Sequence, residues 1–135
     1  GEAMLLDMPM ILPAAKTPPN AATETWLLDA LAELTAEGAL ALFIARAGFE
    51  ARCVKAFLDV GLPFALVIPQ GLAAYAPPAA LQQAVADDLA LVISPFQPDW
   101  QPPDSGPNPL LPHAIGFART LAHALLSITP PAAAP

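Results

Sequence analysis

Five short, unbroken apolar runs constrain this chain more than any other feature. The clearest is FALVIPQG at 64–71, an apolar run that stops at the turn Pro69-Gln70-Gly71. The others are MPMIL at 8–12, ALALFIA at 39–45, LALVI at 89–93 and ALLSI at 124–128. Apolar runs of this length without alternation read as strands covered on both faces. Pro9 suits only the beginning of the first, and Pro13 is expected to end it.

The segments between the runs have helical spacing. At 22–37, Leu27, Leu31 and Leu34 share a face, with Trp26 and Ala30 beside them and Asp29, Glu33 and Glu37 opposite. At 49–60, Phe49, Cys53, Val54, Phe57 and Leu58 are expected to be buried, and Arg52 and Lys55 to share the exposed side. A third helix is expected from Pro77-Pro78 to Asp87, and a fourth over 112–123, with Ile115, Phe117, Leu121 and Ala122 available for burial. Asn20 or Thr23 can cap the first helix, and Gly38 and Gly61 can close the first two. Asp87 and Asp88 fall at the negative end of the third, which implies local strain or an early end.

Strands alternating with helices, joined by right-handed crossovers, give an α/β fold. The expected architecture is a Rossmann-like three-layer sandwich with a mostly parallel sheet of about five strands. Residues 1–129 read as a single domain and 130–135 as a disordered tail. The segment 94–109 carries six prolines and reads as an extended surface loop. Trp100 within it is the candidate interface residue, because a large aromatic in an irregular segment needs something to pack on. The plain alternative is that it folds back on its own domain.

Charge and composition exclude several classes. The net charge is −7, and the cations are Lys16, Arg46, Arg52, Lys55 and Arg119. Duplex or single-strand binding rests on neutralising phosphates, so nucleic-acid binding is expected to be weak or absent. No apolar run reaches the roughly 18 residues of a membrane span, and no basic-then-apolar leader is read, so a cytoplasmic location is expected. One cysteine, Cys53, excludes an intrachain disulfide and reads as core. His113 and His123 are ten residues apart, about 15 Å along a helix, too far to share a metal. The serines have no Gly-x-Ser-x-Gly context and there is no Walker loop. No catalysis, cofactor or metal is expected.

Ligands of open parallel sheets bind beyond the carboxyl ends of the strands. Those ends carry Lys16, Arg46 with Gly48, Gln70 with Gly71, and Ser94. Lys16 and Arg46, on adjacent loops beside a helix N-terminus, are the best candidates to hold a small anion or nucleotide. The plain alternative is two solvated loop cations.

The order of motifs resembles the DprA/Smf DNA-processing proteins, whose Rossmann-like domain is related to the lysine-decarboxylase-like and nucleotide-sensing folds. The carrying residues are Gly61, Pro63, Gly71, Leu72, Tyr75, Pro77 and Ser94, with Gly48-Phe49-Glu50 upstream and Leu111-Pro112 and 121–126 downstream. Against the family's pattern, Pro13-Ala14-Ala15 stands in place of its phosphate-holding Gly-Ser-Arg turn. Pro69 replaces the first glycine of its Gly-x-Gly turn, Val54 its helix histidine, and Ala114-Ile115 its Arg-Asn. The resemblance therefore implies a DprA-like domain whose ancestral phosphate site is largely lost. The leading expectation is a non-catalytic protein acting through protein contacts as a homo-oligomer. The alternatives are a binder of a small anionic ligand at the carboxyl-end crevice, and a DNA-processing accessory with weak single-stranded DNA binding.

Overall fold

The five apolar runs form five strands in the computed structural model, which describes residues 8–14 and 20–127. They are β1 Met10–Ala14, β2 Leu40–Ile44, β3 Phe64–Val67, β4 Ala90–Ile93 and β5 Ala124–Ser127. All four pairings are parallel, in the order β4-β3-β2-β1-β5. The crossovers are the helices α1 Ala21–Ala36, α2 Phe49–Val60, α3 Ala79–Ala86 and α4 Leu111–Leu121. A single turn of 3-10 helix, Leu72–Ala74, precedes α3. This is the Rossmann-like α/β sandwich expected. The tail expected at 130–135 lies outside the described residues.

Because side chains alternate along a strand, each strand serves two cores. On one face, Ala41, Phe43, Phe64, Leu66 and Ala90 meet Leu27 and Leu31 of α1, Cys53 and Phe57 of α2, and Leu81 and Ala84 of α3. Phe43, Phe57 and Phe64 form an aromatic trio at its centre, with ring centroids 5.2 to 6.2 Å apart. Phe43 meets Phe57 edge-on at 87°, the geometry that the ring quadrupole favours. On the other face, Met10, Leu12, Leu40, Leu42, Ala65, Val67 and Leu91 meet Ala114 and Ala118 of α4. Ala114 and Ala118 are four apart and fully buried, so α4 lies close against the sheet on its small side chains. Ile115, Phe117, Leu121 and Ala122, expected as its buried set, flank that contact half-buried. Among the described residues α4 is the one helix packed on this face. Phe96, near the start of the proline-rich segment, packs against the same core, beside Leu111 of the first turn of α4.

Two expectations are corrected. Pro13 lies inside β1 rather than ending it, opposite Leu126 of β5. The carbonyl of Met10 accepts from His123 on the β5 side, and that of Pro9 from Leu40 on the β2 side. Odd-numbered backbone groups of β1 therefore face β2, and pairing with β2 extends only to Ile11 opposite Ala41. Pro13 has no N–H to give toward β2, the paired register with β2 ends at Ile11, and β1 continues through Ala14 on its β5 side alone. Trp26, placed beside the buried face of the first helix, is 52% exposed instead.

The first three helices end alike. Gly38, Gly61 and Asp88 each adopt positive φ. The next residue then donates its N–H to the carbonyl five residues back: Ala39 to Leu34, Leu62 to Phe57, Leu89 to Ala84, at 2.8 to 3.0 Å. This is the Schellman closure, which satisfies helix carbonyls and aims the chain into the next strand. Asp88 makes it without being glycine, and the helix ends at Ala86, ahead of the paired aspartates.

Candidate functional site

The strand order puts the reversal of chain direction between β1 and β5, so the crevice of an open sheet opens beyond Ala14 and Ser127. Lys16, which follows β1, lies outside the described residues. Arg46 follows the neighbouring strand β2. Gln70 and Gly71 follow β3, and Ser94 follows β4, about 10 and 15 Å across the sheet from β1 at the usual strand spacing. The candidate residues thus line a row of strand exits rather than one pocket.

Each described member of the row has a bonding role of its own. Arg46 bonds through Nε to Oε2 of Glu50. Glu50 sits in the first turn of α2, is almost wholly buried, and accepts from the Ile44 N–H at 3.1 Å through Oε1. The carboxylate thereby ties the last residue of β2, the loop cation and the start of α2 into one unit. Burying it unpaired would cost several kcal/mol, on the order of the penalty for any desolvated charge. Gly48 precedes the helix at φ 111°, ψ −150°, a backbone state that an L side chain resists. It offers no side-chain cap, so the first-turn N–H groups of α2 receive none.

At β3, Gly71 gives its N–H to the Trp100 carbonyl at 2.9 Å. A methyl at Gly71 would come under 3.0 Å from the carbonyls of Gln97 and Pro98. The glycine here permits backbone to approach backbone. Ala73 and Ala74 donate to the Pro98 carbonyl at 2.8 and 3.1 Å, and Gln70 reaches the Ala74 carbonyl through Nε2 at 2.9 Å. Ser94 donates from Oγ to the Gln70 carbonyl at 2.6 Å and accepts from the Phe96 N–H at 3.2 Å. Asn108 donates to the Pro69 carbonyl at 2.8 Å and accepts from the Leu110 N–H at 2.9 Å. The proline-rich segment is therefore laid across the exits of β3 and β4 and pinned at both ends. Trp100, half-buried, is part of that cover through its backbone.

Electrostatics of the described cations follow the same pattern. Arg52 of α2 forks onto Glu24 of α1 at 2.7 and 3.0 Å, and Lys55 pairs with Asp59 at 3.0 Å. With Arg46 on Glu50, three of the four described cations are held by carboxylates. His123 Nδ1 accepts from the Met10 N–H at 2.9 Å and so extends the β1–β5 ladder. Burial pushes the Cys53 thiol up to about 12, which keeps it protonated and unreactive at neutral pH. Among the described residues no group of three His, Cys, Asp or Glu is arranged to hold a metal. No helix among them is long and apolar enough to cross a membrane.

One concavity remains beside Arg46. A groove of about 330 Å³ runs between α2 and α3 at the carboxyl end of the sheet, lined by Arg46, Ala47, Val54, Leu58, Tyr75 and Leu81 among others. Burial also pushes the Tyr75 phenol upward from its ordinary range. A smaller hollow of about 110 Å³ lies farther along the same helix seam, with Leu58 lining both. Residue-type reasoning missed Glu50, Tyr75 and Asn108 as architects of this end. Glu50 and Tyr75 were visible only as members of motifs, and Asn108 carried no signal beyond being a lone amide among prolines.

No family model and no curated protein matches the chain in sequence. Solved structures do match in shape. DNA processing protein A from Helicobacter pylori, a single-stranded DNA-binding protein, superposes with a TM-score of 0.67 at 15% identity. That match covers 94% of this chain and 57% of the other. DNA processing protein A from Streptococcus pneumoniae superposes with a TM-score of 0.63 at 16% identity, covering 91% of this chain and 42% of the other. The chain spans about half the length of these proteins. Likeness of shape at this identity speaks for architecture, and the architecture is DprA-like: a Rossmann-like sandwich with the strand order and crossovers described above.

Proposed function

We infer that this domain is a non-catalytic binding module with a DprA-like fold, acting through protein contacts and largely without a phosphate site. The observation that carries the reading is the state of the strand exits. Those of β3 and β4 lie under the chain's own proline-rich segment, and the loop cation after β2 is bonded to a buried carboxylate. A net charge of −7 acts in the same direction by repelling a polyanion. Self-association is the part of the reading carried by the light-scattering measurement below; among the described residues Trp26, Val60 and Leu72 are the large apolar side chains more than half exposed.

The second reading is weak single-stranded DNA binding, favoured by the shape likeness to the H. pylori protein. One pair of measurements decides between them. Anisotropy of a labelled oligothymidylate at about 20 mM and about 150 mM salt should show no saturable binding at either. Saturable binding at low salt that collapses at the higher would overturn the reading in favour of the second. Light scattering at high concentration should report a dimer or larger, and a strict monomer would remove self-association from the proposal.

A further inference from the structure

We propose that the groove between α2 and α3 binds a small monocarboxylate with an apolar body, its carboxylate held by the terminal nitrogens of Arg46 and the hydroxyl of Tyr75. This is independent of the contact role inferred above. The groove's walls are aliphatic, from Val54 and Leu58 on one side to Leu66, Pro78 and Leu81 on the other, and Arg46 is its only charged lining residue. A cavity of about 330 Å³ is at the small end of ligand sites, the size of one or two rings.

The polar groups suit a single negative charge. Glu50 holds Arg46 through Nε, which orders the guanidinium, and Arg46 is one of the residues that line the groove. A guanidinium can serve two carboxylates along different edges of its plane. No hydrogen bond to the Tyr75 hydroxyl is made among the described residues, and the raised pKa keeps that hydroxyl a donor. The start of α2, where Ala47 and Ala51 line the groove, has no side-chain cap, and its helix-end charge is shared with the Glu50 carboxylate of the first turn. A phosphate dianion would fit poorly: its second charge would be desolvated against aliphatic walls with no further cation to meet it.

The probe is 2-naphthoate, followed by amide chemical shifts in a titration of the whole chain. Binding in the range of about 0.1–1 mM is expected, with shifts centred on Ala47, Ala51, Val54 and Leu81. Tyr75→Phe should weaken it about 3–10-fold. Ala51→Leu narrows the groove from an exposed helix position and leaves the Arg46–Glu50 bond alone; it should weaken binding more than about 10-fold. The neutral analogue 2-naphthylmethanol should bind at least about 10-fold more weakly than the acid. Absence of shifts at about 5 mM probe overturns the proposal. So does undiminished binding in Ala51→Leu, or equal affinity for the alcohol, which would make the groove merely greasy.

Discussion

The two faces of the sheet are built on different principles. One is roofed by α1, α2 and α3, whose apolar residues meet around the aromatic trio. The other is roofed by α4 and by a proline-rich segment held across the strand exits by a handful of hydrogen bonds. A helical roof satisfies its own backbone and needs only apolar complementarity to stay in place. An irregular roof must find a partner for each buried backbone group, so it depends on individual residues such as Gly71 and Asn108. The first face is therefore sensitive to volume, and the second to particular bonds.

That contrast can be broken at its strongest point first. Phe57→Ala removes the ring that touches both other members of the trio and should cost about 3–5 kcal/mol in chemical denaturation. Phe96→Ala, on the irregular roof, should cost well under half as much, and equal losses would erase the distinction. Next, Gly71→Ala forces a methyl into the carbonyls of Gln97 and Pro98. It should cost about 2–3 kcal/mol and raise protease cutting within 94–110, with α1 and α2 amides unchanged in hydrogen exchange. Cutting that does not change would mean the segment is not pinned where Gly71 meets it.

Alkali should load the helical face alone. The folded pKa of Cys53 is raised by burial from 9.0 to about 12. Its contribution to stability is then fully present below about pH 9 and is lost as pH rises toward 12, because the unfolded thiol ionises first. Stability should fall above pH 9 by at most about 1.4 kcal/mol per unit from this group, and Cys53→Ala should flatten the slope. Tyr75, raised in the same direction, adds to the fall from its own side of the seam. A flat alkaline limb in the unmodified chain would sink this account.

What the sequence made legible was whatever repeats. Continuous apolar runs have one physical reading in a chain this size, and the glycines after 37 and 60 mark helix ends by a mechanism that needs no tertiary knowledge. The strand order needed more, because nothing local distinguishes β5 beside β1 from β5 beside β4. Pro13 was misjudged for that reason, since β1 keeps its pairing with β5 through Ala14 after its pairing with β2 has ended at Ile11. Trp26 was placed by periodicity beside its buried neighbours, but in a helix covering only one side of a sheet its position turns outward. Of the candidate residues, Arg46, Gly48, Gln70, Gly71 and Ser94 follow strand ends, and their bonding depends on Glu50 and on the folded path of 94–110. Long-range contacts of that kind leave no trace in spacing.

The three matching helix endings carry a consequence for how such a domain can change. They fix the same joint three times over at one edge of the molecule, with one or two residues between the left-handed position and the strand that follows. Insertions or deletions there would misalign a strand, and the registers of β2, β3 and β4 each depend on one joint. The opposite edge holds connections of every length, from the short turn after β2 to the proline-rich crossing after β4. Drift in length and chemistry is thus channelled to the edge where ligands meet this fold. Such a chain can exchange one recognition surface for another at that edge while the three uniform joints keep β2, β3 and β4 in register.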